Sequence, residues 1–190
     1  MRVYVATSWK NAHQPDVVTF LRGAGHEVYD FRHPSSGNDG FHWTAVDGGY
    51  RTWDAHAYIK ALQHPIAQAG FGLDMNALRW CDACVLVLPC GRSAHLEAGR
   101  AAGGGKRLVI YLPDYDTPEL LYGLADAIVT TLADVQIALV APRTERPSES
   151  DPIAAVAADV AQFIKDRIAL CAHGAISITC GPCMAPWLPR

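Results

Sequence analysis

The sequence predicts an α/β fold, a flavodoxin-like or Rossmann-like three-layer sandwich around a parallel sheet of about five strands. Two observations carry that expectation. The run Cys84-Val85-Leu86-Val87-Leu88 is apolar at every position, which suits a strand buried on both faces. Residues 2–31 read as strand, helix, strand, and residues 79–106 again as strand, turn, helix. Units of that kind place ligands at the carboxyl edge of an open sheet.

Taken in order, Arg2 to Ala6 is a short apolar strand followed by the polar turn Thr7 to Asn11. Pro15 to Gly23 is a helix with Val17, Val18, Phe20 and Leu21 as its apolar face, and residues 27–31 form the second strand. Residues 33–53 are glycine-rich and lack periodicity, so they read as a loop or lid. Residues 55–63 and 65–69 read as two short helices, Gly70-Phe71-Gly72 as a turn, and 73–80 as a helix with Leu73, Ala77, Leu78 and Trp80 inward and Asp74 near its start. Pro89 and Gly91 end the central strand, and the Ala-rich helix after Ser93 is closed by glycines. Residues 107–112 are a strand, and 119–125 a helix with Leu120, Leu121 and Leu124 inward. Residues 127–130 are a last short strand, and 132–140 a helix with Val135, Leu139 and Val140 inward. The expected organisation is a catalytic domain over 1–140, a Pro-, Ser- and charge-rich linker over 141–151, and a C-terminal helix and tail over 152–190.

Composition narrows the function classes. Half of the 190 residues are hydrophobic and 18% are charged, the balance of a folded globular chain. A net charge of -3 argues against broad electrostatic binding of nucleic acid. No apolar run reaches the ~20 residues of a membrane span, and the chain enters a strand with no signal-peptide pattern. A cytoplasmic location with reduced thiols is the expectation for its six Cys.

The residues that could carry chemistry cluster at predicted strand ends. Arg92 and Ser93, with Gly91, precede the helix that holds Glu97, and Arg and Ser at a helix N-terminus bind anions. A carboxylate facing a cleft beside an anion pocket can attack a sugar carbon; Glu97 equally suits a favourable helix-start charge, as does Asp74. Ser8, Trp9 and Lys10 follow the first strand, where a ligand's polar end belongs, yet no GxGxxG dinucleotide fingerprint is present. Phe41 and Trp43 in the long loop could stack on a nucleobase or clip the loop to the core. His42, Asp47 and His56 fit no compact zinc spacing.

The segments Asp74-Met75-Asn76-Ala77-Leu78, Cys81-Asp82-Ala83-Cys84-Val85-Leu86-Val87 and Gly91-Arg92-Ser93-Ala94-His95-Leu96-Glu97-Ala98-Gly99 resemble the nucleoside 2-deoxyribosyltransferase superfamily. With Tyr4-Val5-Ala6-Thr7-Ser8-Trp9-Lys10, the nearest branch is the 2'-deoxynucleoside 5'-phosphate N-hydrolases. The resemblance implies Glu97 as nucleophile and Asp74 as its partner at the sugar and as proton donor to the leaving base. It further implies Ser8 and Lys10 at a 5'-phosphate, Tyr4 near the sugar or base, catalysis without a cofactor, and a homodimer or higher homo-oligomer. Three departures stand out. Lys10 replaces an Arg, the loop before Glu97 lacks the extra Asp of the transferases, and His95 precedes Leu96-Glu97. A small-molecule nucleoside or nucleotide is thus the expected partner, with N-glycoside hydrolysis, base transfer and a non-catalytic nucleotide sensor as the readings in play.

The tail holds Cys171, His173, Cys180 and Cys183, four residues that suit either a closed structural zinc site or free thiols. Cys180-Gly181-Pro182-Cys183 matches a redox tetrapeptide, but Pro186 and Pro189 forbid the helix that such a motif needs. Cys81 and Cys84 read as small buried hydrophobes.

Overall fold

A computed structural model describes residues 1–114 and 116–143. The predicted C-terminal helix, the Cys171, His173, Cys180 and Cys183 cluster and Tyr115 lie outside the described residues.

Five parallel strands form one sheet: β1 (Arg2–Ala6), β2 (Glu27–Tyr29), β3 (Ala83–Val87), β4 (Arg107–Tyr111) and β5 (Ala127–Val129). Their order is β2-β1-β3-β4-β5, the flavodoxin-like doubly wound arrangement. All five residues of β3 are buried, as its continuous apolar run requires of a central parallel strand. Its residues divide by strand alternation. Ala83, Val85 and Val87 join a core with Val17, Leu21, Val135 and Leu139. Those partners lie on α1 (Gln14–Gly23) and α5 (Leu132–Val140). Cys84 and Leu86 face the opposite core with Ala77, Leu78, Ala94 and Ala98. These belong to α3 (Pro65–Trp80) and α4 (Arg92–Gly103), and α2 (Ala55–Ala61) precedes them. The three layers follow from that division.

Local signals set the helix ends. Pro65 sits in the first turn of α3, where its missing N–H costs nothing. Asp54 caps α2 by accepting from the Ala57 amide at 2.8 Å, and Thr131 caps α5 by accepting from Asp134 at 3.1 Å. Arg143, in the described part of the expected linker, donates to Asp126 at 2.9 Å and to the Gly105 carbonyl at 2.6 Å.

Four expectations are corrected. Residues 65–80 form one helix, so Gly70-Phe71-Gly72 is not a turn and Asp74 lies far from the helix N-terminus. Gly70 serves a close approach instead: a Cβ there would come within 2.8 Å of the Phe41 side chain. Residues 120–124 form a 3-10 turn, and Leu120, Leu121 and Leu124 are exposed, because the turn lies across the surface. Val140 ends α5 pointing outward, and Leu73 is exposed although its helix is packed. The second strand stops at Tyr29 because Asp30 turns inward to accept from Gln14 at 2.6 Å. Among the described residues, no helix is long and apolar enough to cross a membrane.

Candidate functional site

The carboxyl edge of the sheet is locked by buried polar contacts. Thr7 donates to the Val87 carbonyl at 2.7 Å, joining the ends of β1 and β3. Asn11 donates to the Pro89 carbonyl at 2.9 Å and accepts from His13 at 2.7 Å. Arg32 donates to the carbonyls of Ser8 and Asn11 at 2.9 and 2.8 Å. Buried groups of this kind must be paired, and here the pairing fixes the loop after β1.

Above that edge lies a cavity of about 460 Å³. Asp74 enters it from α3 and Glu97 from α4, so the two carboxyls meet at one opening. Thr7, Lys10 and Ser93 line the side formed by the β1 loop and the start of α4. Trp9, Phe31, Phe41, Trp43 and Tyr50 supply flat apolar walls. The long loop carries most of that wall. Phe41 packs edge-on to Trp43 at 4.8 Å, and Trp43 to Trp53 at 5.6 Å. The rings that line the cavity thus also pack on one another within the loop. Gly40 lets the loop pass: its φ is +75°, and a Cβ would fall 2.3 Å from the Phe31 carbonyl.

The two acids sit in unlike surroundings. The Asp74 carboxylate accepts from the Tyr29 hydroxyl at 2.9 Å, and burial raises its pKa against that bond. Glu97 is pushed up to about 7, first by burial and then by the charge of Asp74. The buried Tyr4 hydroxyl lies beside Glu97, close enough to favour its charge, yet reaches hydrogen-bonding geometry with no group among the described residues. Asp74 thus ionises first, and its charge holds the remaining proton on Glu97.

Not every expected ligand residue reaches this cavity. Asp74, Glu97, Trp9, Lys10, Phe41, Trp43 and Ser93 line it. Tyr4 is fully buried behind the carboxyls. Ser8 accepts from the Lys10 amide at 3.1 Å, which turns its hydroxyl to the loop's own backbone. Gly91 and Arg92 are displaced: they line a separate apolar groove of about 930 Å³ on the far side of α4. His95 lies there too, 2.9 Å from the Gly91 carbonyl and 3.0 Å from the Tyr122 hydroxyl. The helical rotation of α4 explains this, since positions 92 and 95 share a face that excludes 93 and 97.

Sequence reasoning missed Tyr29, Tyr50 and Arg51, all at the cavity wall. Tyr29 could have been found: it ends β2 beside Tyr4, and strand ends at the carboxyl edge carry ligands. Tyr50 is one of the loop's aromatics but was passed over for Phe41 and Trp43, and Arg51 in that aperiodic loop gave no signal. Arg51 stacks its guanidinium over the Tyr50 ring at 4.9 Å. Among the described residues, no His, Cys, Asp and Glu group is arranged to hold a metal ion.

No family model matches the sequence, and no curated protein is significantly similar to it. Among solved structures, the chain is similar to a 2-deoxyribosyltransferase from Bacillus psychrosaccharolyticus, with 16% identity and a TM-score of 0.49, over 72% of this chain and 90% of that one. It is also similar to the CMP N-glycosidase BcmB of Clostridium botulinum, with 19% identity and a TM-score of 0.40, over 73% of this chain and 98% of that one.

Proposed function

We propose that the chain is an enzyme that cleaves the N-glycosidic bond of a nucleoside 5'-monophosphate through a covalent intermediate on Glu97. The supporting observation is the cavity that holds Asp74 and Glu97 together under aromatic walls, with Lys10 and Ser93 at one side. The resemblance of the segments around Asp74 and Glu97 supports the same reading.

In this reading a pentose sits over the carboxyls, its base against the aromatic wall and its phosphate toward Lys10 and Ser93. A Glu97 carboxylate oxygen attacks C1'. The C1'–N bond breaks, its electron pair stays on the base nitrogen, and the Asp74 carboxyl gives the base a proton. Water then attacks C1', Asp74 takes the water's proton, and the ester bond to Glu97 breaks. The reactive form has its one proton on Asp74 and Glu97 ionised, the reverse of the resting arrangement in which the Asp74 charge holds that proton on Glu97, so the proton passes from Glu97 to Asp74 before C1' is attacked.

Base transfer is the second reading. Gly91 and Arg92 lie outside the cavity and Ser8 is turned to the backbone, which leaves Lys10 and Ser93 of the expected phosphate ligands. An unphosphorylated nucleoside needs no more than that, and a second base could then replace water.

The test is a panel of nucleosides and nucleoside monophosphates, with freed base measured by chromatography, on the wild type and Glu97→Gln. Base release from monophosphates, lost in Glu97→Gln while nucleotide binding persists, supports hydrolysis. Base exchange between nucleosides supports transfer. Binding with no release by either protein makes the domain a sensor and overturns both.

A further inference from the structure

We propose that Tyr29 is the positioning residue for Asp74, fixing which carboxyl oxygen faces the substrate. This rests on the proposed reaction and deepens it. Tyr4 and Tyr29 are register partners on the adjacent parallel strands β1 and β2. Their rings stack at 5.2 Å with an interplanar angle of 22°. The stacked pair presents two phenols to two acids: Tyr29 donates to Asp74 Oδ1 at 2.9 Å, and the Tyr4 hydroxyl lies beside Glu97.

The consequence is directional. With Oδ1 held by Tyr29, Oδ2 is the oxygen left to carry a proton toward the base. A donor whose oxygen is aimed wrongly by an ångström loses much of its rate. The bond also favours the charged form of Asp74, so the two acids keep different affinities for a proton. The groups that face Asp74 are Tyr29 from β2, Tyr4 from β1 and Glu97 from α4, with Lys10, His42 and Arg51 elsewhere on the cavity wall. Only Tyr29 makes a hydrogen bond to it among the described residues.

Tyr29→Phe removes the hydroxyl and keeps the ring that stacks on Tyr4. The positioning role predicts a fall in kcat of about tenfold with KM changed less than about twofold. The acid limb of the pH profile moves to higher pH, while the alkaline limb stays. Titration of Asp74 by carboxyl ¹³C shifts in the free protein moves in the same direction. A variant with unchanged kcat, or with lower kcat but an unmoved limb and an unmoved Asp74 titration, overturns the proposal. Tyr4→Phe is the control, since it leaves the Asp74 titration in place if Tyr29 alone serves that acid. A wild-type chain that releases no base from any substrate overturns the reaction, and with it Tyr29's part in the reaction. The ¹³C titration then still shows separately whether the Tyr29–Asp74 bond exists.

Discussion

The charge of Asp74 holds a proton on Glu97: the two carboxyls open into one cavity, and the Glu97 pKa rises to about 7 because of burial and that neighbour. A rate that needs one proton in the pair is therefore bell-shaped in pH. Activity falls at low pH as Asp74 takes up its proton too, its pKa raised by burial from that of a free aspartate. It falls again as pH rises through about 7 and the last proton leaves Glu97. A profile of kcat/KM that instead climbs through that pH to a plateau would show that the base leaves without a proton from Asp74.

The same burial has a stability consequence. The Glu97 pKa is raised from 4.5 in the free group to about 7 in the fold, so the fold binds its proton more tightly than the unfolded chain does. Full stability is then present below the lower value and is lost as pH rises through the upper one. Glu97→Gln carries no such charge. Its thermal unfolding should match the wild type near pH 4 and exceed it at pH 8, by on the order of 3 kcal/mol. Equal unfolding curves at both pH values would mean that Glu97 is not held in a desolvated site.

Lys10 and Arg92 separate the two faces of α4. Lys10 lines the cavity with the carboxyls, whereas Arg92 lines the apolar groove behind the helix. Lys10→Ala should raise KM for monophosphates about tenfold, the loss of roughly 1.4 kcal/mol, and leave nucleosides within about twofold. Arg92→Ala should leave both nearly unchanged. Steady-state kinetics on a matched nucleoside and monophosphate decides it, and a large effect of Arg92→Ala would put the phosphate in the groove behind α4 instead.

How much of this was legible in the residues depended on whether a signal was local. The sheet was legible because Cys84 to Leu88 is apolar throughout and only a doubly covered strand tolerates that. That Asp74 and Glu97 line one cavity was foreshadowed by the segments around them. The direction of Arg92 was not, because helix phase decides it: an expected start after Ser93 hid that positions 92 and 95 turn away together. Leu120, Leu121 and Leu124 suggested a buried helix face, but a 3-10 turn spreads them over the surface. Gly70 and Gly72 read as helix breakers because glycine propensity is local, whereas the reason for Gly70 is a contact with Phe41, which is distant in sequence.

Gly70 and Gly72 give a paired test of that contact. Both lie within α3, where alanine is intrinsically better than glycine by roughly 1 kcal/mol. A Cβ at Gly72 meets nothing within 4 Å, so Gly72→Ala should stabilise the fold by about that amount. A Cβ at Gly70 falls 2.8 Å from Phe41 Cβ and 2.9 Å from its Cγ, so the Phe41 ring and the aromatic loop must shift. Gly70→Ala should therefore lose the stabilisation that Gly72→Ala gains. It should also raise KM for substrates severalfold, because Phe41 and Trp43 form the wall against which the base would lie. Thermal unfolding and KM measured on both variants check this together. If the two alanines stabilise equally and KM stays constant, the loop does not rest on α3 through residue 70.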